Sequence, residues 1–149
     1  MRAVIQRVRS ASVSVDGKTV SSIGRGLAIL LGVGHEDTSS DASWLAEKTA
    51  SLRIFEDSEE KMNLSLLDIR GEALVVSQFT VYGDARKGRR PSFTDAAPPE
   101  KADALYEEYV EKLRQQGVQT RTGIFRAKML VTIENDGPVT LIIETPQGR

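Results

Sequence analysis

The sequence predicts a fold of the α/β class: one domain, residues 1–149, in which a β-sheet is covered by two main helices. Three observations carry this. Short apolar runs of strand length recur at residues 27–33 and 73–79. Two longer stretches, opening near Ser39 and at Pro98-Pro99, repeat apolar residues at helical spacing. With 149 residues and 40% hydrophobic content, the chain suffices for one core that buries roughly 70% of the surface of its unfolded form, and no repeat or linker divides it.

Alternation through Val4, Gln6, Val8 and Ser10, then Val13 and Val15, predicts an N-terminal strand. Asp16-Gly17 is a hairpin turn signal, and a second strand follows over residues 19–23. Gly24 and Gly26 punctuate the chain before the buried strand at 27–33. Ser39, Ser40 and Asp41 offer N-cap oxygens to a first helix whose stripe runs through Trp44, Leu45, Lys48 and Leu52. The strand at 73–79 places Ser77, Gln78, Phe79 and Thr80 at its end, where strands commonly open into sites. Pro98-Pro99 opens the second helix, with Ala102, Leu105, Tyr106, Tyr109, Val110 and Leu113 on one face and Gly117 as its stop. Two strands, 129–134 and 139–144, joined by a turn at Asn135-Asp136-Gly137-Pro138, complete the sheet.

Composition narrows the function. The chain has no cysteine, which removes disulfides, thiolate metal sites and a cysteine nucleophile, and a reducing cytosol is compatible with that. Polar residues interrupt the N-terminus too early for a signal peptide, and no apolar run approaches the ~18 residues of a membrane span, so a soluble cytoplasmic protein is expected. A net charge of -1 excludes nucleic-acid binding through a globally basic surface. The one basic cluster is Arg86, Lys87, Arg89 and Arg90; it reads either as a contact for phosphates or as solvated loop charge.

Few residues suggest conventional catalysis. His35 is the single histidine, it lacks a second imidazole for a metal site, and it reads as a solvent-facing loop residue. The acidic run Glu56, Asp57, Glu59 and Glu60 reads as solvated turn charge. Ser77 and Thr80 carry hydroxyls, but the chain has neither a nucleophile elbow nor an obvious histidine partner, so a triad is not expected. X-Pro bonds are cis in only ~5–6% of cases in folded proteins, so the residues alone make Gly137-Pro138 an ordinary turn.

Two segments change that balance: Ser-Gln-Phe-Thr-Val-Tyr-Gly-Asp at residues 77–84 and Asn-Asp-Gly-Pro-Val-Thr at residues 135–140. They resemble the two signature motifs of the D-aminoacyl-tRNA deacylases. The resemblance continues through Gln6-Arg7-Val8, Arg53-Ile54-Phe55, Lys61-Met62-Asn63-Leu64-Ser65, Arg90-Pro91-Ser92-Phe93 and Gly123-Ile124-Phe125, in the family's order and approximate spacing.

The resemblance implies a predominantly antiparallel, barrel-like sheet, a homodimer, and hydrolysis of the ester between a D-amino acid and the terminal adenosine of tRNA, without metal or organic cofactor and without DNA or membrane as partners. Ser77, Gln78, Phe79 and Thr80 would form the catalytic platform, their backbone N–H groups holding the ester carbonyl while a ribose hydroxyl of the substrate assists. Gly137 and Pro138, joined by a cis bond, would enter the partner's pocket and wall off L side chains. A rigid backbone wall rejects every L residue without reading any side chain, and it leaves glycine unrejected. Arg7 would anchor this loop, with Phe125 and Met129 lining the pocket for the adenosine or aminoacyl group. Arg126 departs from the family's small residue at that position. Other readings are a non-catalytic module gripping aminoacyl-tRNA, an editing domain for a mischarged L-amino acid, which a Gly-Pro wall would obstruct, and a purely structural dimer.

Overall fold

One long strand organises the molecule. In the computed structural model, which describes residues 1–147, β1 (Arg2–Val15) pairs antiparallel with β2 (Lys18–Ile23), β3 (Gly26–Gly32) and β8 (Leu130–Glu144). Asp16 and Gly17 turn the chain between β1 and β2 with φ of 51° and 78°, the left-handed values that an Asp-Gly hairpin requires. Beyond β3 the sheet continues through β6 (Glu72–Ser77) to β7 (Gln119–Thr122), and both of these pairings are parallel. Antiparallel pairings, all through β1, outnumber the two parallel ones at β6, and the sheet is mixed. Parallel neighbours need a crossover, and α1 (Ser39–Ser51) and α2 (Pro99–Gln115) supply the two helices.

The Ser21 hydroxyl on β2 donates to the Thr122 carbonyl on β7 at 2.7 Å, so the sheet curls into a nearly closed barrel. The strand pair β4 (Phe55–Glu56) and β5 (Met62–Leu64) stands apart from it. No helix among the described residues is long and apolar enough to cross a membrane.

Two cores follow from the pleat. Leu27, Ile29 and Leu31 of β3, with Ala73 and Val75 of β6, face α1 and α2; Ala28, Leu74 and Val76 point into the barrel with Val8, Ala11, Val13 and Ile23. β1 serves both cores by changing phase. Ala3 and Ile5 face the helices, whereas Ala11 and Val13 face the barrel interior, and the switch coincides with a register shift between Val8 and Ser10 opposite consecutive residues Asn135 and Glu134. Such a bulge moves every later side chain to the other face.

The C-terminal region differs from the expected pair of strands. β8 is a single strand whose two arms both pair with β1, and Asp136, Gly137, Pro138 and Val139 leave the ladder between them. Gly-Pro chemistry suits a hairpin turn and an excursion alike, and the 14 residues of β1 decide the matter by offering a partner to both arms. The strand at 73–79 is also shorter than predicted: β6 ends at Ser77, and Phe79–Tyr82 forms a 3-10 turn.

The first helix is capped by Thr38 in a capping box with Asp41, not by Ser39 or Ser40. Its buried face comprises Ala42, Leu45, Ala46, Thr49 and Ala50. Trp44 is half-buried, and Lys48 lies over its ring instead of entering the stripe. α2 buries Leu105, Tyr106, Tyr109, Val110 and Leu113 as its spacing predicts, and Gly117, at φ 95°, ends it.

Candidate active site

At the end of β6 the chain leaves the sheet and immediately turns. The Gln78 N–H donates to the Leu31 carbonyl at 2.8 Å, fixing the exit against β3, and the Gly83 N–H closes the 3-10 turn on the Thr80 carbonyl at 2.9 Å. Gly32 makes room for this turn: a Cβ there would clash with Val81 and stand 2.9 Å from the Tyr82 ring. The Gln78 side-chain amide donates to the Thr80 hydroxyl at 2.8 Å. The Phe79 ring projects from the turn, 56% exposed, and meets Phe93 edge-to-face with centroids 5.2 Å apart.

These residues form one wall of a cavity of about 570 Å³, a size usual for small-molecule sites. Ser77, Gln78, Phe79 and Thr80 all line it. Phe93, Ala96, Ala97, Pro98 and Pro99 form a second wall, and Phe125, Arg126, Ala127 and Met129 a third. Phe125 is braced from the core by Tyr106, 6.3 Å away between ring centroids. Burial pushes the Tyr106 hydroxyl up to about 12, so it stays protonated and donates to the Val75 carbonyl at 2.9 Å. Met129 lies across Gly123, where a Cβ would sit 2.5 Å from its sulfur; the glycine is what lets the thioether reach this wall.

Arg126 alone among the lining residues is ionisable, and it adopts a φ of 65°. Among the described residues no carboxylate or imidazole lines the cavity, and no group of three or more histidines or acidic side chains could hold a metal ion.

Gly137 and Pro138 do not line this cavity. They are exposed at the tip of the β8 excursion, joined by a cis peptide bond. Arg7 is buried beneath the excursion; its Nε donates to the Asp136 carbonyl at 3.2 Å and its Nη1 to the Ile54 carbonyl at 2.9 Å. Carboxylates of Asp136 and Glu56 stand 3.6 and 3.7 Å from the same guanidinium. Asn135 closes the neck of the excursion, its Nδ2 donating to the carbonyls of Arg7 and Val139 at 3.0 Å each. The structure thus groups Arg7 with Gly137 and Pro138, groups Phe125 and Met129 with residues 77–80, and keeps the two groups apart within one chain.

The remaining candidates are structural. His35 is exposed with Nε2 2.7 Å from the Thr94 carbonyl. It borders a second hollow of about 690 Å³ that none of residues 77–80 reaches. Several charges there are paired: the Met1 ammonium donates to Asp37 and Thr145 at 2.6 Å, and Arg2 to Glu144 at 2.7 Å. Asp57 ties its turn together by accepting from the Asn63 side chain and from the Lys61 and Glu59 N–H groups, which hold its carboxyl below the usual range. The sequence gives Pro98 and Pro99 only the start of the second helix and gives Phe93, Ala96 and Ala97 no place in the site. The signal of this wall was present in Arg90-Pro91-Ser92-Phe93, but only the folded chain brings Phe93 to Phe79.

The chain matches the family described as D-Tyr-tRNA(Tyr) deacylase over residues 4–144. It is 59% identical over 145 residues to the D-aminoacyl-tRNA deacylase of Thermotoga petrophila, covering 97% of each chain. To the D-aminoacyl-tRNA deacylase of Myxococcus xanthus it is 61% identical over 146 residues, covering 98% of this chain and 95% of the relative. A solved structure described as c-Myc DNA Unwinding Element Binding Protein superposes with a TM-score of 0.92 at 43% identity, covering 98% of this chain and 99% of that one. Another, described as "a probable eukaryotic D-amino acid tRNA deacylase", superposes with a TM-score of 0.82 over 95% of this chain and 97% of the other; at 19% identity this is a likeness of fold. With a family match spanning nearly its whole length, the chain belongs to the D-Tyr-tRNA(Tyr) deacylase family.

Proposed function

We propose that the protein hydrolyses the ester bond between a D-amino acid and the 3′-terminal adenosine of tRNA, with the cavity beside residues 77–80 as the reaction site. One observation carries the mechanism: the cavity wall contains backbone amides, hydroxyls and aromatic rings but no side chain able to take a proton. The Thr80 hydroxyl accepts from the Gln78 amide, and no base faces it, so it is not placed as a nucleophile. Catalysis then rests on positioning and on stabilising the oxyanion. The Phe79 and Thr80 N–H groups open the 3-10 turn, where the helical pattern supplies no acceptor, and they are the candidate donors to the ester oxygen. Proton movement falls to water and to the ribose hydroxyl beside the ester, which ties the reaction to RNA.

Selection is the task of the second motif. Gly137 and Pro138 are exposed and do not line the cavity of their own chain, a placement that suits insertion into the cavity of a second copy in a symmetric homodimer. There the dipeptide backbone would occupy the space of an L side chain. The test is parallel release of amino acid from D-tyrosyl-tRNA, L-tyrosyl-tRNA and glycyl-tRNA in the presence of a chelator. Loss of the D and glycyl esters with survival of the L ester is expected. Loss of both tyrosyl esters would overturn the backbone wall, loss of neither would overturn the activity, and a stable glycyl ester would show that exclusion reaches beyond the side chain.

A further inference from the structure

We infer that two basic flanks beside the cavity form a cradle for the phosphodiester backbone of the tRNA acceptor arm. The inference rests on the proposed deacylation and adds where the rest of the substrate lies.

The first flank is the loop between Asp84 and Ser92. Those residues bridge each other with two backbone hydrogen bonds of 2.7 and 2.8 Å, which hold the base of the loop. Phe93 then packs directly on Phe79 at the cavity wall, so the loop is rooted in the site. Its side chains, from Ala85 to Pro91, are all exposed. Arg86 is occupied: it grips Asp84 with Nε and Nη2, both at 2.8 Å, and this hydrogen-bonded partner holds the Asp84 carboxyl down at about 2. Lys87, Arg89 and Arg90 remain, and none forms an ion pair among the described residues. Asp95, the next carboxylate along the chain, borders the other hollow and acts electrostatically on Arg86, the cation already occupied.

The second flank is Arg126, which lines the cavity, with exposed Lys128 two residues further on; neither is ion-paired among the described residues. In a chain of net charge -1, five cations without an ion pair among the described residues thus lie on the two segments, 85–91 and 126–128, that adjoin or form the cavity walls at Phe93 and at Phe125–Met129, and one of them, Arg126, lines the cavity itself. Surface lysines and arginines scattered for solubility have no reason to gather there, whereas a polyanion whose terminal nucleotide enters the cavity has to pass between these flanks. Such charges fix position and register and read no base, so they suit a protein acting on more than one tRNA.

The test compares the native protein with a Lys87→Gln/Arg89→Gln/Arg90→Gln variant. Binding of uncharged tRNA is measured across a salt series, and kcat/KM is measured for D-tyrosyl-tRNA and for D-tyrosyl-adenosine, which has no phosphate. Each phosphate contact contributes roughly 0.7 to 0.9 to the slope of log K against log salt, so the slope should fall by about 2 to 3. The ratio of kcat/KM on the tRNA ester to that on the phosphate-free ester should fall with it, and Lys87→Arg/Arg89→Lys/Arg90→Lys should restore both. An unchanged slope in a variant of native melting temperature overturns the cradle. Cleavage of neither ester by the native protein would overturn the deacylase reading instead, while the salt slope would still report on the loop.

Discussion

The two motifs that mark this chain are built in opposite ways. Residues 77–80 follow a parallel strand buried between β3 and β7, and their shape is dictated by what packs beneath them: the Leu31 carbonyl, the bare backbone of Gly32 and the aromatic contact to Phe93. Residues 136–139 have no such support. They leave an outer strand that pairs only with β1, and they are held from below by one buried guanidinium and from the side by one amide. The oxyanion role proposed for residues 77–80 demands donors fixed to a few tenths of an ångström, and a packed sheet suits that demand. The excursion projects from the surface and is not packed on all sides, so hydrogen bonds to its backbone do the holding, an arrangement that suits the wall proposed for it.

The sharpest way to break the first arrangement while sparing the second is Gly32→Ala. The added methyl would press on Val81 and the Tyr82 ring and drive the turn away from the sheet. A displacement of about 1 Å at a catalytic platform costs roughly 100-fold in rate. Deacylation of D-tyrosyl-tRNA should fall by about that factor, with the preference for the D over the L ester retained because the excursion is untouched. Adding Val81→Ala removes one of the two obstacles and should recover part of the loss, as single-turnover kinetics would reveal.

Arg7→Ala tests the other side. It withdraws the donors to the Asp136 and Ile54 carbonyls and leaves two carboxylates without their shared cation. Both carboxylates are partly solvated, so the loss of stability should be about 2 kcal/mol, read from urea unfolding. The signature lies elsewhere: hydrolysis of the D ester should persist while discrimination against the L ester drops about tenfold, equivalent to about 1.4 kcal/mol of exclusion. A variant that loses rate and keeps discrimination would place Arg7 with the catalytic turn.

How legible each region was follows from the same contrast. The second helix and the first hairpin were readable because their signals are local: a 3.6-residue apolar stripe ending at Gly117, and Asp16-Gly17 between alternating residues. Strand β7 was not, since Gln119-Thr120-Arg121-Thr122 is polar and becomes a strand only by pairing with β6. β8 was misread as two strands because Gly-Pro has the same local meaning in a turn and in a bulge. The phase change in β1 was invisible for a related reason: it is imposed by the register of a strand more than a hundred residues away. At the candidate site, residues 77–80 stand in a signature motif and Phe125 and Met129 follow from the family resemblance, whereas the Phe93–Pro99 wall requires the tertiary fold.

Thr80→Ala carries the smallest expected change and the most exacting comparison with a conventional hydrolase. Removing a true hydroxyl nucleophile costs factors of about 10⁴ or more. Here the hydroxyl of exposed Thr80 accepts from the amide of half-buried Gln78 in a solvent-exposed hydrogen bond, so water can satisfy the amide once the hydroxyl is gone. A lost exposed hydrogen bond of that kind contributes roughly 0.5 to 1 kcal/mol, so the rate on D-tyrosyl-tRNA should decline by no more than about fivefold. The residual effect should appear in kcat, through looser positioning of the turn, and leave D-over-L preference unchanged. Loss of all turnover in a variant with native melting temperature and native tRNA affinity would instead make Thr80 a chemical participant and require a proton acceptor from outside this cavity wall, supplied by the substrate or by a second copy of the chain.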